Sequence, residues 1–314
     1  MDLVAIVDQM KLEVSKKIIG KEHLVELFTI ALLADGHILL ESVPGTGKTT
    51  FAKTFSEVID AKFRRIQFTP DVLPSDVTGI QFFHPQKLDF ELRPGPIVTN
   101  ILLADEINRA TPRTQSSLLE VMEEFQVTIE GTTIALDYPF MVIATQNPVE
   151  SQQGTFPLPI AQMDRFFMKL PMEYPVYEDE KRMLALQKGK TEIQSVSSVI
   201  GKEEILQGKL ALISIQIHED VEDYLLAIVR ATRNHQEIEL GVSPRGSIAL
   251  LRAAQGKALL SGRDFVTPQD IKEIVLPVLS HRIYLSAEGS LKKSVEEVLL
   301  EILEELPTPV EVEI

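Results

Sequence analysis

Cysteine is absent from the 314 residues. Without it the chain can form no disulfide, no zinc–thiolate site and no Cys-ligated iron–sulfur cluster, and an intracellular, cytoplasmic setting is expected. No apolar stretch approaches the ~20 residues that a membrane helix needs, so membrane insertion is not expected. Residues 1–11 carry Asp2 and Asp8 and lack a basic start followed by an apolar run, which argues against a secretory signal. Histidine is sparse and scattered: His23, His37, His84, His218, His235 and His281 include no pair at i, i+4 spacing, so no metal site is expected from them. Dense Lys/Arg runs are missing too. The formal net charge of −15 repels polyanions at long range, and general nucleic-acid binding is not expected.

What is present has the balance of a globular protein, with 44% hydrophobic and 25% charged residues, and the length suits two domains. Apolar residues recur at helical spacing over residues 3–17 and 22–34, with a break at Ile18-Ile19-Gly20. Residues 37–41 read as a short buried strand, followed by a Gly-rich turn and a helical stretch over 48–59. Further strands are expected at 63–68, 101–104 and 140–145, and a helix at 111–125 with Thr111 as N-cap and Pro112 at its first position. Strands alternating with helices imply a largely parallel sheet covered on both faces. Two segments interrupt the alternation: 79–93, around Pro85, and 126–137, around Glu130-Gly131, both read as inserted hairpins.

Beyond residues 171–175 helices dominate, at 178–188, 221–233, 244–260 and 268–278. Ser243-Pro244 and Thr267-Pro268 are matching start signals. The expected division is therefore 1–172 and 173–314. The tail after Ser290 reads as a solvated amphipathic helix as far as Leu306.

The turn after the first strand runs Ser42, Val43, Pro44, Gly45, Thr46, Gly47, Lys48, Thr49, Thr50. The phosphate-binding pattern G-x-x-x-x-G-K-[ST] is met except at its first glycine, which is Ser42. Gly45 and Gly47 let backbone N–H groups turn inward as an anion nest, and the helix that opens at Lys48 adds its positive end. Lys48 can reach the β- and γ-phosphates of a nucleotide, and Thr49 can place a hydroxyl on Mg²⁺. Ser42 carries a cost only if its position needs a positive φ. The alternative is a Gly-rich strand-to-helix turn with a surface lysine.

The strand over 101–104 ends in Asp105-Glu106. Adjacent acids at the end of an apolar strand are costly unless they meet a cation. Asp105 is placed to hold Mg²⁺, and Glu106 to orient and deprotonate an attacking water. Asn147, closing the next apolar strand, could hold that water from the other side; alternatively it is a turn residue before Pro148.

These stretches resemble the AAA+ superfamily and, within it, the MoxR family. The likeness is carried by IQFTPDVLPSDVTG (66–79), LLADEINRATPRTQSSLLEVMEE (102–124), IATQNP (143–148) and PLPIAQMDRF (157–166). It implies a P-loop NTPase of the α/β class: an αβα parallel-sheet domain with two β-hairpin inserts, followed by an all-α lid. It further implies ATP and Mg²⁺ as cofactors, Asn147 as sensor 1, and Arg165 as an arginine finger acting on a neighbouring subunit's nucleotide. Arg245, in GVSPRG, corresponds to sensor 2 reaching the γ-phosphate, and Ile18, Ile19 and Gly20 to the adenine pocket. A homo-oligomeric ring, expected as a hexamer, a client protein and a von Willebrand factor A domain partner belong to the same picture, with chaperone-like remodelling or metal and cofactor loading as the job. Competing readings are a nucleic-acid motor, which the acidic balance opposes, and a nucleotide-switched scaffold with little turnover, which Asp105-Glu106 opposes. A magnesium-chelatase-like subunit is a near variant. Phe82, Phe83 and Phe90 read as hairpin packing or client contacts.

Overall fold

The computed structural model describes residues 2–147, 154–188 and 195–309. Two helices come first: α1, Leu3–Ser15, capped by the Asp2 carboxylate on the Ala5 N–H, and α2, Glu22–Leu33. Then β1 (Ile38–Ser42), α3 (Lys48–Val58), β2 (Phe63–Gln67) and the short α4 (Pro74–Thr78) follow. The hairpin β3 (Gly79–His84) and β4 (Asp89–Pro94) precedes β5 (Ile101–Asp105) and α5 (Pro112–Glu124). A second hairpin, β6 (Gln126–Ile129) and β7 (Thr132–Ala135), leads to β8 (Met141–Gln146), α6 (Ile160–Met163) and β9 (Met168–Met172).

The central sheet runs in the order β2-β5-β8-β1-β9, with every neighbouring pair parallel. Successive side chains of a strand point to opposite faces, and the two apolar clusters record this. Ile38 and Leu40 of β1 and Leu103 of β5 belong to one cluster; Leu39, Leu102 and Ala104 belong to the other. The topology puts β8 between β5 and β1, so the ends of the P-loop strand and the acid strand flank the end of β8.

Both expected hairpins form. The second closes through Glu130 (φ 45°) and Gly131 (φ 86°), the two consecutive left-handed residues of a tight hairpin turn. In the first, Phe83 and Phe90 face each other across the strands with ring centroids 5.5 Å apart, yet both stay largely exposed.

The second half contains α7 (Tyr177–Lys188), α8 (Lys202–Ser214), α9 (Glu219–Asn234), α10 (Pro244–Leu260), α11 (Pro268–Leu279) and α12 (Val295–Glu305). Ser243 and Thr267 cap α10 and α11 through their hydroxyls as the sequence predicts. The region is not purely helical: β10 (Ile238–Leu240) pairs antiparallel with β11 (Tyr284–Leu285). The apolar cluster that holds α1 and α2 continues into α8, α10 and α11, so one core spans both halves. No helix among the described residues is long and apolar enough to cross a membrane.

Candidate active site

Gly45 (φ 85°) and Gly47 (φ 87°) both adopt the left-handed conformation that glycine tolerates. A Cβ built on either would meet nothing within 4 Å, so the loop is open at both glycines. The Thr46 hydroxyl braces the turn by donating to the Val43 carbonyl at 3.1 Å. Ser42 is an ordinary strand residue in register with Met172 and has no positive φ, so the missing glycine costs the loop no backbone strain. Pro44 is exposed at the turn's tip, while Thr49 and Thr50 follow Lys48 in the first turn of α3.

Lys48 Nζ stands 3.1 Å from Asp105 Oδ1. The same oxygen accepts from the Thr145 hydroxyl at 2.7 Å, and Oδ2 accepts from Arg65 Nη2 at 2.7 Å and Nε at 3.2 Å. Burial by itself would raise the Asp105 carboxyl; the Thr145 hydroxyl, Arg65 and Lys48 together outweigh it and hold it below the ordinary value. Asp105 is therefore an ionised, buried carboxylate. With the hydroxyl of Thr49 it makes a hard-oxygen donor set of the kind Mg²⁺ accepts, so these residues fit the metal.

Glu106 has a left-handed backbone (φ 57°), which turns the chain sharply out of β5. The Thr145 hydroxyl accepts from its N–H at 2.9 Å. Its carboxylate accepts from Gln67 Nε2 at 2.7 Å and pairs with Arg109 Nε at 3.1 Å, both through Oε2. Asn147 follows β8 and is buried, and β8 lies between β5 and β1.

Beside the P-loop lies a cavity of about 540 Å³. Gly45, Thr46, Gly47 and Thr50 line one end. Ile18 and Ile19 line another part of its wall, with Tyr174, Met183 and Leu184. These last three are exposed apolar side chains. Gly20 (φ 76°) packs its backbone on α7, where a Cβ would lie 2.1 Å from Asp179 Oδ2.

The arginines sit elsewhere. Arg165 donates to the Leu119 carbonyl at 2.9 Å and pairs with Glu123 at 3.1 Å. Arg245, expected at the γ-phosphate, instead pairs within this chain with the same Glu123, at 2.5 Å, and lines a second cavity of about 240 Å³ together with Arg165. The start of α10 is fastened to the segment before β9, which carries Arg245 to Arg165 and away from the P-loop cavity. Asp164 accepts from the Ser243 hydroxyl and from Arg282 Nε, each at 2.8 Å.

Comparison with known proteins identifies this arrangement. Residues 37–168 match the family described as "ATPase family associated with various cellular activities", and residues 230–302 match the AAA lid domain. The chain is 40% identical to Chaperone MoxR1 of Mycobacterium tuberculosis over 286 residues, which is 88% of this chain and 75% of that one. The chain belongs to the MoxR family of AAA+ ATPases. It is also 46% identical to the Bacillus subtilis protein YeaC, covering 95% of this chain and 93% of that one. The crystal structure of a candidate ATPase from Cytophaga hutchinsonii superposes with a TM-score of 0.90 at 38% identity, over 98% of this chain and 96% of that one.

In this MoxR-family chain, sequence reasoning missed Arg65, Gln67, Thr145, Tyr174, Met183 and Leu184. Arg65 and Gln67 carry a usable signal: they alternate along an edge strand and, at Gln67↔Asp105, one of them lies level with the acid. Tyr174, Met183 and Leu184 carry none, because their role is visible only once the cavity exists.

Proposed function

We propose that the chain is a Mg²⁺-dependent ATPase that assembles into a ring, expected as a hexamer, and hydrolyses ATP between subunits. The observation that carries this reading is the Lys48–Asp105 pair beside a P-loop whose two glycines are open to a ligand. The phosphates would rest on the amides of the loop, and Lys48 would leave Asp105 for the β- and γ-oxygens. Magnesium, held through Asp105 and Thr49, would supply charge neutralisation there. The adenine would lie against Ile18, Ile19, Tyr174, Met183 and Leu184.

Among the described residues Gln67 and Arg109 both act on Glu106 Oε2, and Oε1 would take the proton of an attacking water. Asn147 would hold that water from β8. Arg165 and Arg245 lie on a separate face, together, and would act as a pair on a neighbour's nucleotide. The test is complementation. Glu106→Gln and Arg165→Ala subunits, each inactive alone, should regain ATPase activity when mixed, because an interface can then combine one intact acid end with one intact arginine face. No regain at any ratio, with both variants folded and assembled, rejects the shared site.

The work done with that energy is read as chaperone-like remodelling, or metal or cofactor loading, of a client protein. The support is the resemblance to a protein named a chaperone; a von Willebrand factor A domain partner follows from the family likeness alone. A Glu106→Gln chain loaded with ATP should retain a client that the wild type releases on hydrolysis, and the same client in both eluates rejects ATP-driven release.

A further inference from the structure

One carboxylate serves both arginines. Glu123, in the last turn of α5, accepts from Arg245 Nη2 through Oε1 at 2.5 Å and pairs with Arg165 Nη2 through Oε2 at 3.1 Å. Each oxygen takes one guanidinium, so the two heads lie side by side on the edges of a single planar anion. Two such cations held close would repel, and a shared counter-ion removes that penalty.

The rest of the face is built to keep them there. Arg165 is tied a second time to α5, through the Leu119 carbonyl near the helix's negative end. Asp164, the residue before Arg165, is gripped by Arg282 and by Ser243, the cap of the helix that carries Arg245. Arg282 is buried and also donates to the carbonyls of Phe166, Phe167 and Val278. The two backbones are thus fastened to each other, and the two side chains converge on Glu123.

A guanidinium has five N–H donors, and Glu123 and Leu119 occupy only part of each set. Carboxylate and phosphoryl groups both present adjacent oxygens to which planar guanidinium heads bind edge-on. The spacing that Glu123 imposes is therefore one that a phosphoryl group can share.

We propose that Glu123 is a positioning residue that yokes Arg165 and Arg245 into one two-pronged fork for a phosphoryl group presented by a neighbouring copy of the chain. The proposal rests on the reading that both arginines serve the neighbour's nucleotide, and adds the residue that makes them act as a unit.

The test uses the full chain at a concentration where the wild-type ring is complete. Glu123→Ala is expected to lower kcat by roughly ten- to a hundred-fold, as a misplaced catalytic group does, with KM for ATP and sedimentation unchanged. Glu123→Asp should recover part of the loss. Mixing Glu123→Ala with Glu106→Gln should regain activity, because the two lesions fall on opposite sides of an interface. Mixing Glu123→Ala with Arg165→Ala should regain none, because they fall on the same side. Wild-type kcat in Glu123→Ala overturns the yoke, as does regain with Arg165→Ala. If Glu123→Ala does not assemble, Glu123→Gln replaces it, and wild-type kcat there overturns the yoke equally. Wild-type kcat in Arg165→Ala overturns the underlying reading instead.

Discussion

The two charged clusters of the molecule obey opposite rules. At the acid end of the sheet, one buried carboxylate, Asp105, has several donors of its own: Lys48, Arg65 and Thr145. On the arginine face, two guanidiniums share one exposed carboxylate, Glu123. A buried charge without partners costs several kcal/mol, so the first cluster must be satisfied for the fold to stand. Exposed ion pairs contribute about 0–1 kcal/mol, so the second contributes little to stability and its geometry is left to serve a ligand. Over-satisfied acid inside and under-satisfied cations outside suit the site shared between two subunits that is proposed above.

That contrast can be broken by experiment. The largest effect is expected at the acid end. Glu106→Gln should cut turnover about 10²–10⁴-fold, the usual worth of a positioned general base, while ATP binding persists. Single-turnover hydrolysis alongside equilibrium binding separates the two, and loss of binding would place Glu106 in ligand capture instead.

A smaller effect is expected beneath the arginine face. Arg282 is buried, and burial pushes its guanidinium down to about 10 while Asp164 opposes that shift. Arg282→Ala removes one partner of a buried pair and should cost about 3–5 kcal/mol in urea unfolding. A loss no larger than that of an exposed pair would mean that Asp164 finds another donor.

The smallest effect is a pH dependence at the joint between the regions. His37 accepts from the Val142 N–H of β8 through Nδ1 at 3.0 Å, and its Nε2 meets the Met122 carbonyl, next to Glu123, at 2.9 Å. Burial lowers its pKa to about 4, with the Met122 contact opposing. Between the ordinary 6.5 and about 4 the unfolded chain binds a proton that the folded chain refuses, so stability falls as pH drops through that window. The drop should approach about 3 kcal/mol from this group. Above 6.5 it contributes no slope. His37→Gln should flatten the urea midpoint between pH 6.5 and 4.5 in part, since His281 is shifted the same way by burial. An unchanged slope would assign the acid lability elsewhere.

Much of the first half was legible because its chemistry is contiguous. Residues 42–50 and Asp105-Glu106 each lie in one short run at the end of an apolar strand, so periodicity and residue type locate them together. What was not legible depends on neighbours in space. Arg65 and Gln67 matter because β2 happens to pair with β5. The rerouting of Arg245 to Glu123 depends on Ser243 and Arg282 meeting Asp164. Strand β9 was missed because Pro171 interrupts it, which an edge strand tolerates. Helix α8 was missed because it carries apolar residues all round, some buried and some exposed, and Gly208 where it crosses Leu33, so no period stands out.

The close approach of Gly20 to Asp179 joins the two sides of the cavity beside the P-loop. On one lip are Ile18 and Ile19; on the other are Met183 and Leu184, carried by the same helix as Asp179. With no side chain at position 20, the backbone there and the Asp179 carboxylate pack directly against each other. Any residue larger than glycine at position 20 would have to displace Asp179, and with it the helix that carries Met183 and Leu184, so the shape of that cavity depends on the absence of a single side chain.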